Sequence, residues 1–146
     1  MIWVIDASVA LKWFLRFRPE EDGVVHAMDL LEQAVSGAAE VFQPPHFYAE
    51  MAAVLAREKP DTAPADLHDL LQLDFGIADG PGIYASAIDL SRRFGHHLFD
   101  TLYHAVALQT PGATLVTADL RYFAKAQGEG RIRLLNHLPG TDARDS

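Results

Sequence analysis

The chain has 146 residues, 49% of them apolar and 22% charged, ordinary proportions for one globular domain that can bury a core unaided. It contains no cysteine, which excludes disulfide staples and thiolate zinc sites. A formal net charge of −8, from 20 acidic against 12 basic residues, argues against loose, sequence-independent binding to nucleic acid.

The first fifteen residues are apolar, but no basic segment leads them and Asp6 and Lys12 interrupt the run. No later stretch has the length needed to span a bilayer, so a soluble, non-exported, cytoplasmic protein without membrane contact is expected. Trp3-Val4-Ile5 reads as a buried strand of a parallel sheet, stopping at Asp6. Residues 7–15 read as a short helix and 16–20 as a loop marked by Pro19. Val24, Met28, Leu31 and Val35 repeat with helical period across 22–36, and 40–43 is a second strand. Pro44 and Pro45 open a helix that runs to about Lys59 and is ended by Pro60. A helix over 63–72, a strand over 73–77 and a helix over 82–94, stopped by Gly95, follow. Residues 99–109 form a further helix, 113–116 the clearest later strand, 120–126 a short helix and 132–135 a closing strand. Strands alternating with helices predict an α/β fold on a mainly parallel sheet, as one domain over 1–139 with a polar, disordered tail at 140–146.

Four carboxylates stand out against this pattern. Asp6 directly follows the first strand, where α/β sheets gather ligands, although a helix cap or an Asx turn explains it equally and Ser8 suits either role. Glu50 stands three residues after Phe47 and four before Val54, on the apolar face of its helix. A carboxylate there must be paired, protonated or cation-bound, unless it sits at the stripe's edge and reaches water. Asp100 occupies the first turn of its helix, which the helix dipole alone favours. Asp119 ends Leu115-Val116-Thr117-Ala118-Asp119 and again suits a cap. Together, however, two acids follow strands and two lie near helix starts, places that share one end of a parallel sheet. Carboxylates converging there would repel one another, and hard divalent cations relieve that repulsion.

These segments resemble a known family. Val4-Ile5-Asp6-Ala7-Ser8-Val9 resembles the opening motif of PIN domains, and more closely that of the VapC-type toxins of bacterial toxin–antitoxin pairs. Pro45-His46-Phe47-Tyr48-Ala49-Glu50, Phe99-Asp100-Thr101-Leu102-Tyr103-His104-Ala105, and Leu115-Val116-Thr117-Ala118-Asp119 followed by Phe123 match the segments carrying the second, third and fourth acids. The resemblance covers about residues 2–135. It implies a three-layer α/β/α PIN-like fold with about five strands and a metal-dependent endoribonuclease. Asp6, Glu50, Asp100 and Asp119 would hold Mg2+ or Mn2+, with Ser8 and Thr117 orienting carboxylates or water from behind. It further implies a homodimer and a cognate antitoxin protein as partner.

Lys12, Arg16 and Arg18 follow the first motif, and Arg121 and Lys125 the fourth; as possible RNA-binding residues they would line a substrate groove, against the alternative of plain surface charge. Leu11, Trp13, Phe14 and Phe17 exceed what one core stripe needs and would offer a partner an apolar surface, unless they are ordinary core. His104 stands where the family more often carries an aliphatic or small residue. Zinc held by His97, Asp100 and His104 is conceivable at this spacing, although histidines near a helix end are usually polar surface and adjacent His96 and His97 point in different directions. A haloacid dehalogenase-type phosphatase would need a second Asp where Ser8 stands. A response-regulator receiver would need paired early acids and a late lysine after a strand. A PIN-like module that binds RNA or protein without cutting is the remaining alternative.

Overall fold

The computed structural model describes residues 1–138, so the predicted tail at 140–146 lies outside the described residues. Five strands, β1 (Ile2–Ile5), β2 (Glu40–Gln43), β3 (Gly76–Ile77), β4 (Ala113–Thr117) and β5 (Ile132–Leu134), pair in parallel in the order β3-β2-β1-β4-β5. Among the described residues seven α-helices connect them: α1 (Ala7–Leu15), α2 (Val24–Ser36), α3 (Phe47–Glu58), α4 (Ala63–Gln72), α5 (Pro81–Phe94), α6 (Leu98–Gln109) and α7 (Leu120–Ala126).

Right-handed crossovers put α1 to α4 on one face of this sheet and α5 to α7 on the other, which makes the three α/β/α layers. Side-chain contacts agree. Trp13 of α1 donates its indole N–H to the Ala27 carbonyl of α2 (2.8 Å). On the other face Tyr122 of α7 packs edge-on against Phe94 of α5 and hydrogen-bonds His104 of α6 (2.8 Å). Sandwiched between layers, β1 and β4 are apolar almost without interruption, with Val4, Ile5 and Val116 fully buried.

Among the boundaries that differ from the sequence reading, α3 starts at Phe47 rather than at the prolines, and two others have local causes. The third strand is confined to Gly76–Ile77 because Leu73 still caps α4 and Asp74 takes a left-handed turn (φ 53°). Gly76 then passes so close to Phe42 that a Cβ would stand 2.6 Å from its ring. Likewise α2 starts after the left-handed Gly23 (φ 66°), which leaves Asp22 free to meet Lys12.

From β1 the chain moves outward to β2 and β3; from β4 it moves the opposite way to β5. The sheet therefore has its switch point between β1 and β4, and the carboxyl ends of those two strands are where sheets of this kind form a ligand crevice. Gln43 is buried beside the end of β1. Its amide accepts from the Ile5 N–H (2.9 Å) and donates to the Ile5 carbonyl (2.7 Å), so a side chain replaces the neighbouring backbone and β2 can diverge toward α3.

Candidate metal centre

Asp6 caps α1 from the end of β1, and Asp119 caps α7 two residues beyond β4, so both cap readings and the strand-end reading hold at once. One oxygen of Asp6 accepts from the Ser8 backbone N–H (3.2 Å), from the Ser8 hydroxyl and from the Thr117 hydroxyl (3.4 Å). Those hydroxyls are themselves fixed. Ser8 Oγ accepts from the Ala118 N–H and Thr117 Oγ1 from the Asp119 N–H, each at 3.0 Å. The residues read as orienting groups thus join the two strand ends to Asp6.

Glu50 lies half-buried in the first turn of α3 and accepts from the hydroxyl of fully buried Tyr103 (2.6 Å), which meets the demand that a carboxylate on an apolar face be paired. Asp100 is set by α6, whose first turn is capped by His97 through Nδ1 and pinned by Thr101 donating to the Ala87 carbonyl (2.8 Å). His96 joins Asp100 to Asp119. Its Nε2 lies 3.5 Å from Asp100 Oδ2 and 3.6 Å from Asp119 Oδ2, and one ligand atom from each of the three residues falls within 4.8 Å of the others.

Burial, with the neighbouring acids, raises the proton affinity of two of these carboxylates. Dense protein around Asp6, reinforced by the charges of Asp100 and Glu50, pushes its carboxyl up to about 7 although Ser8 pulls the other way. Asp100 is likewise raised by burial and by Asp119, against the pull of His96. Burial raises Tyr103, and the adjacent Glu50 adds to it, so its hydroxyl stays a donor. Carboxylates gathered on rigid helix starts and strand ends are a donor set suited to a hard divalent cation.

Not every residue singled out in the sequence reaches this place. Lys12 is buried and bound by Glu21 (3.1 Å), Asp22 (3.0 Å) and the Asp22 carbonyl (2.8 Å), so it is not a groove residue. α1 runs away from the acids and places Arg16 about 15 Å along its axis from Asp6. There Arg16 caps the Trp13 carbonyl and covers Phe17, and Arg18 binds Glu58 at the far end of α3. Arg121 is exposed in the first turn of α7, and Lys125 reaches His96 Nδ1 (3.4 Å), so the fourth motif's basic residues do flank the acids.

The apolar surface proposed for the early helices is also smaller than expected. Trp13 is core and Leu11 and Phe14 pack against it, leaving Phe17, 84% exposed. Zinc held by His97, Asp100 and His104 has no geometric basis. His104 is buried with Nδ1 on Tyr122 and Nε2 on the Gly130 carbonyl (2.9 Å), and His97 is engaged as the cap. The imidazole that meets the acids is His96, which the sequence reading passed over. Gly95 ends α5 in a left-handed turn (φ 59°), and that reversal aims His96 inward. The sequence does carry a signal for Tyr103, since a tyrosine within so apolar a helix needs a partner for its hydroxyl.

By class, this is a three-layer α/β/α protein with a cluster of acidic side chains at the switch point of a parallel sheet. The chain belongs to the PIN-domain family, whose model matches residues 3–129. It is also similar to a chain in the solved structure of VapBC-1 from nontypeable Haemophilus influenzae, with a TM-score of 0.63 and 14% identity over 93% of this chain and 99% of that one. At that identity the likeness is one of fold. Among curated protein sequences, none matches the chain significantly.

Proposed function

We propose that this protein is a metal-dependent endoribonuclease, the toxin of a toxin–antitoxin pair, acting in the cytoplasm with Mg2+ or Mn2+ held by Asp6, Glu50, Asp100 and Asp119. PIN domains are generally nucleases that use divalent metal, and the fold neighbour is a VapBC complex. The observation that carries the reading is the approach of Asp100 and Asp119 to within 4.8 Å of each other, beside an Asp6 carboxyl raised to about 7.

A divalent cation bound there supplies an activated water and offsets charge building on the phosphate. The protein's own part is positioning. Ser8 and Thr117 hold Asp6, Tyr103 holds Glu50, and the capped first turn of α6 holds Asp100. Arg121 and Lys125 supply positive charge for the phosphate backbone at the rim. Phe99, 50% exposed one residue before Asp100, has His46 and His97 against it with centroids at 5.1 and 4.8 Å. An exposed ring beside the acids suits stacking by a base of a single strand.

An antitoxin and a second copy of the chain are the partners in this reading. Phe17, with Tyr84 and Ile88 one turn apart on α5, is exposed apolar surface for such contacts. The substrate is tested with matched RNA and DNA oligonucleotides incubated with Mn2+. Cutting of the RNA alone, to 5′-phosphate and 3′-hydroxyl ends, is expected; equal cutting of DNA would overturn the assignment to RNA.

A further inference from the structure

We propose that His96 is a nitrogen ligand of the cation held by Asp100 and Asp119, and that it tilts the site toward first-row transition cations over magnesium. The inference rests on the cation-binding reading above and concerns the one donor in the cluster that is not a carboxylate. Ligands that each stand about 2.1 Å from one small ion lie at most about 4.2 Å apart. The 3.5 and 3.6 Å from His96 Nε2 to the two carboxylates fall inside that span.

The ring is also held for the task. The His96 side chain is nine-tenths buried, Tyr122 packs against it with centroids 4.9 Å apart, and Ser91 donates to its backbone carbonyl. Magnesium prefers oxygen donors and retained water, whereas imidazole gains more from transition cations, so a nitrogen at this corner changes the ratio of affinities.

Lys125 sets the condition for this binding. Its ammonium, 3.4 Å from Nδ1, has only protons to give, so Nδ1 accepts there and the ring proton faces the carboxylates from Nε2. Coordination through Nε2 needs that proton on Nδ1, which turns Lys125 aside on its flexible stem. Metal binding therefore displaces Lys125 from the ring, and removing the lysine removes the competition.

The test is Mn2+ and Mg2+ binding to the full chain by calorimetry, with pulsed EPR of the Mn2+ form to detect coupling to an imidazole nitrogen. The parent is expected to show the coupling and His68→Gln, at an exposed histidine of α4, to keep it. His96→Gln is expected to lose it, with Mn2+ affinity down roughly 10- to 100-fold and Mg2+ affinity nearly unchanged. Lys125→Met, which leaves all three ligands in place, is expected to bind Mn2+ more tightly. Mn2+ binding without nitrogen coupling in the parent, and unaffected by His96→Gln, would overturn the inference and leave the carboxylate site standing. No divalent binding by the parent would overturn both.

Discussion

The side-chain amide of Gln43 occupies the hydrogen-bonding positions that a neighbouring strand would otherwise fill beside Ile5, at 2.9 and 2.7 Å. Because Ile5 precedes Asp6, this substitution of side chain for backbone fixes the end of β1 while freeing β2 to lead toward Glu50. Gln43→Leu keeps much of the volume but leaves both Ile5 groups unpaired in a buried place. A loss of roughly 2–4 kcal/mol of stability is expected, read by urea denaturation. A loss within error would show that the end of β1 does not depend on this amide.

Asp6 gives the metal-free protein a distinctive pH dependence. Unfolded, its carboxyl releases the proton near the ordinary value of about 4; folded, it holds the proton up to about 7. Between those limits the folded state retains a proton that the unfolded state has lost, so folding loses favour as pH rises, and the effect levels off above the folded value. Thermal melts in EDTA from pH 4.5 to 8 are expected to show Asp6→Asn gaining stability relative to the parent as pH rises. A parent-minus-variant difference flat with pH would contradict the raised carboxyl.

Much of this site was legible in the chain. Strand ends and helix starts are written locally, in apolar runs that stop at an acid, so Asp6, Asp100 and Asp119 fell where the sequence placed them. Residues whose direction depends on a turn, or on a partner far along the chain, were not legible. His96 is aimed by the left-handed Gly95, and Lys12 is captured by Glu21 and Asp22 rather than by the motif it follows. The short third strand was misjudged because Asp74 adopts a backbone conformation unusual for a side chain other than glycine.

Placement separates the basic residues into two groups. Arg121→Glu is expected to weaken binding of single-stranded RNA and to lower the salt dependence by about one unit of slope. Arg16→Glu, at the far end of α1, is expected to leave both within error. Fluorescence anisotropy across a salt series in Ca2+ measures both, and equal effects from the two variants would show that the groove extends along α1.

Phe99 offers a ring and little else to a nucleic acid. Phe99→Ala is expected to cost about 1–3 kcal/mol of RNA affinity, with Phe99→Tyr near the parent. On an RNA with an abasic position beside the cut, the parent and Phe99→Ala should bind alike. A difference that survives at every abasic position would assign the ring to another partner.

The most direct measurement is cleavage of a mixed RNA pool by the parent and by Asp6→Asn, with Mg2+, with Mn2+ and with EDTA. Metal-dependent cutting by the parent, abolished by EDTA and reduced at least 100-fold or so in the variant, is the predicted result. Equal silence from both proteins, with no divalent binding by the parent, would contradict the account and leave a PIN-domain protein that binds without cutting.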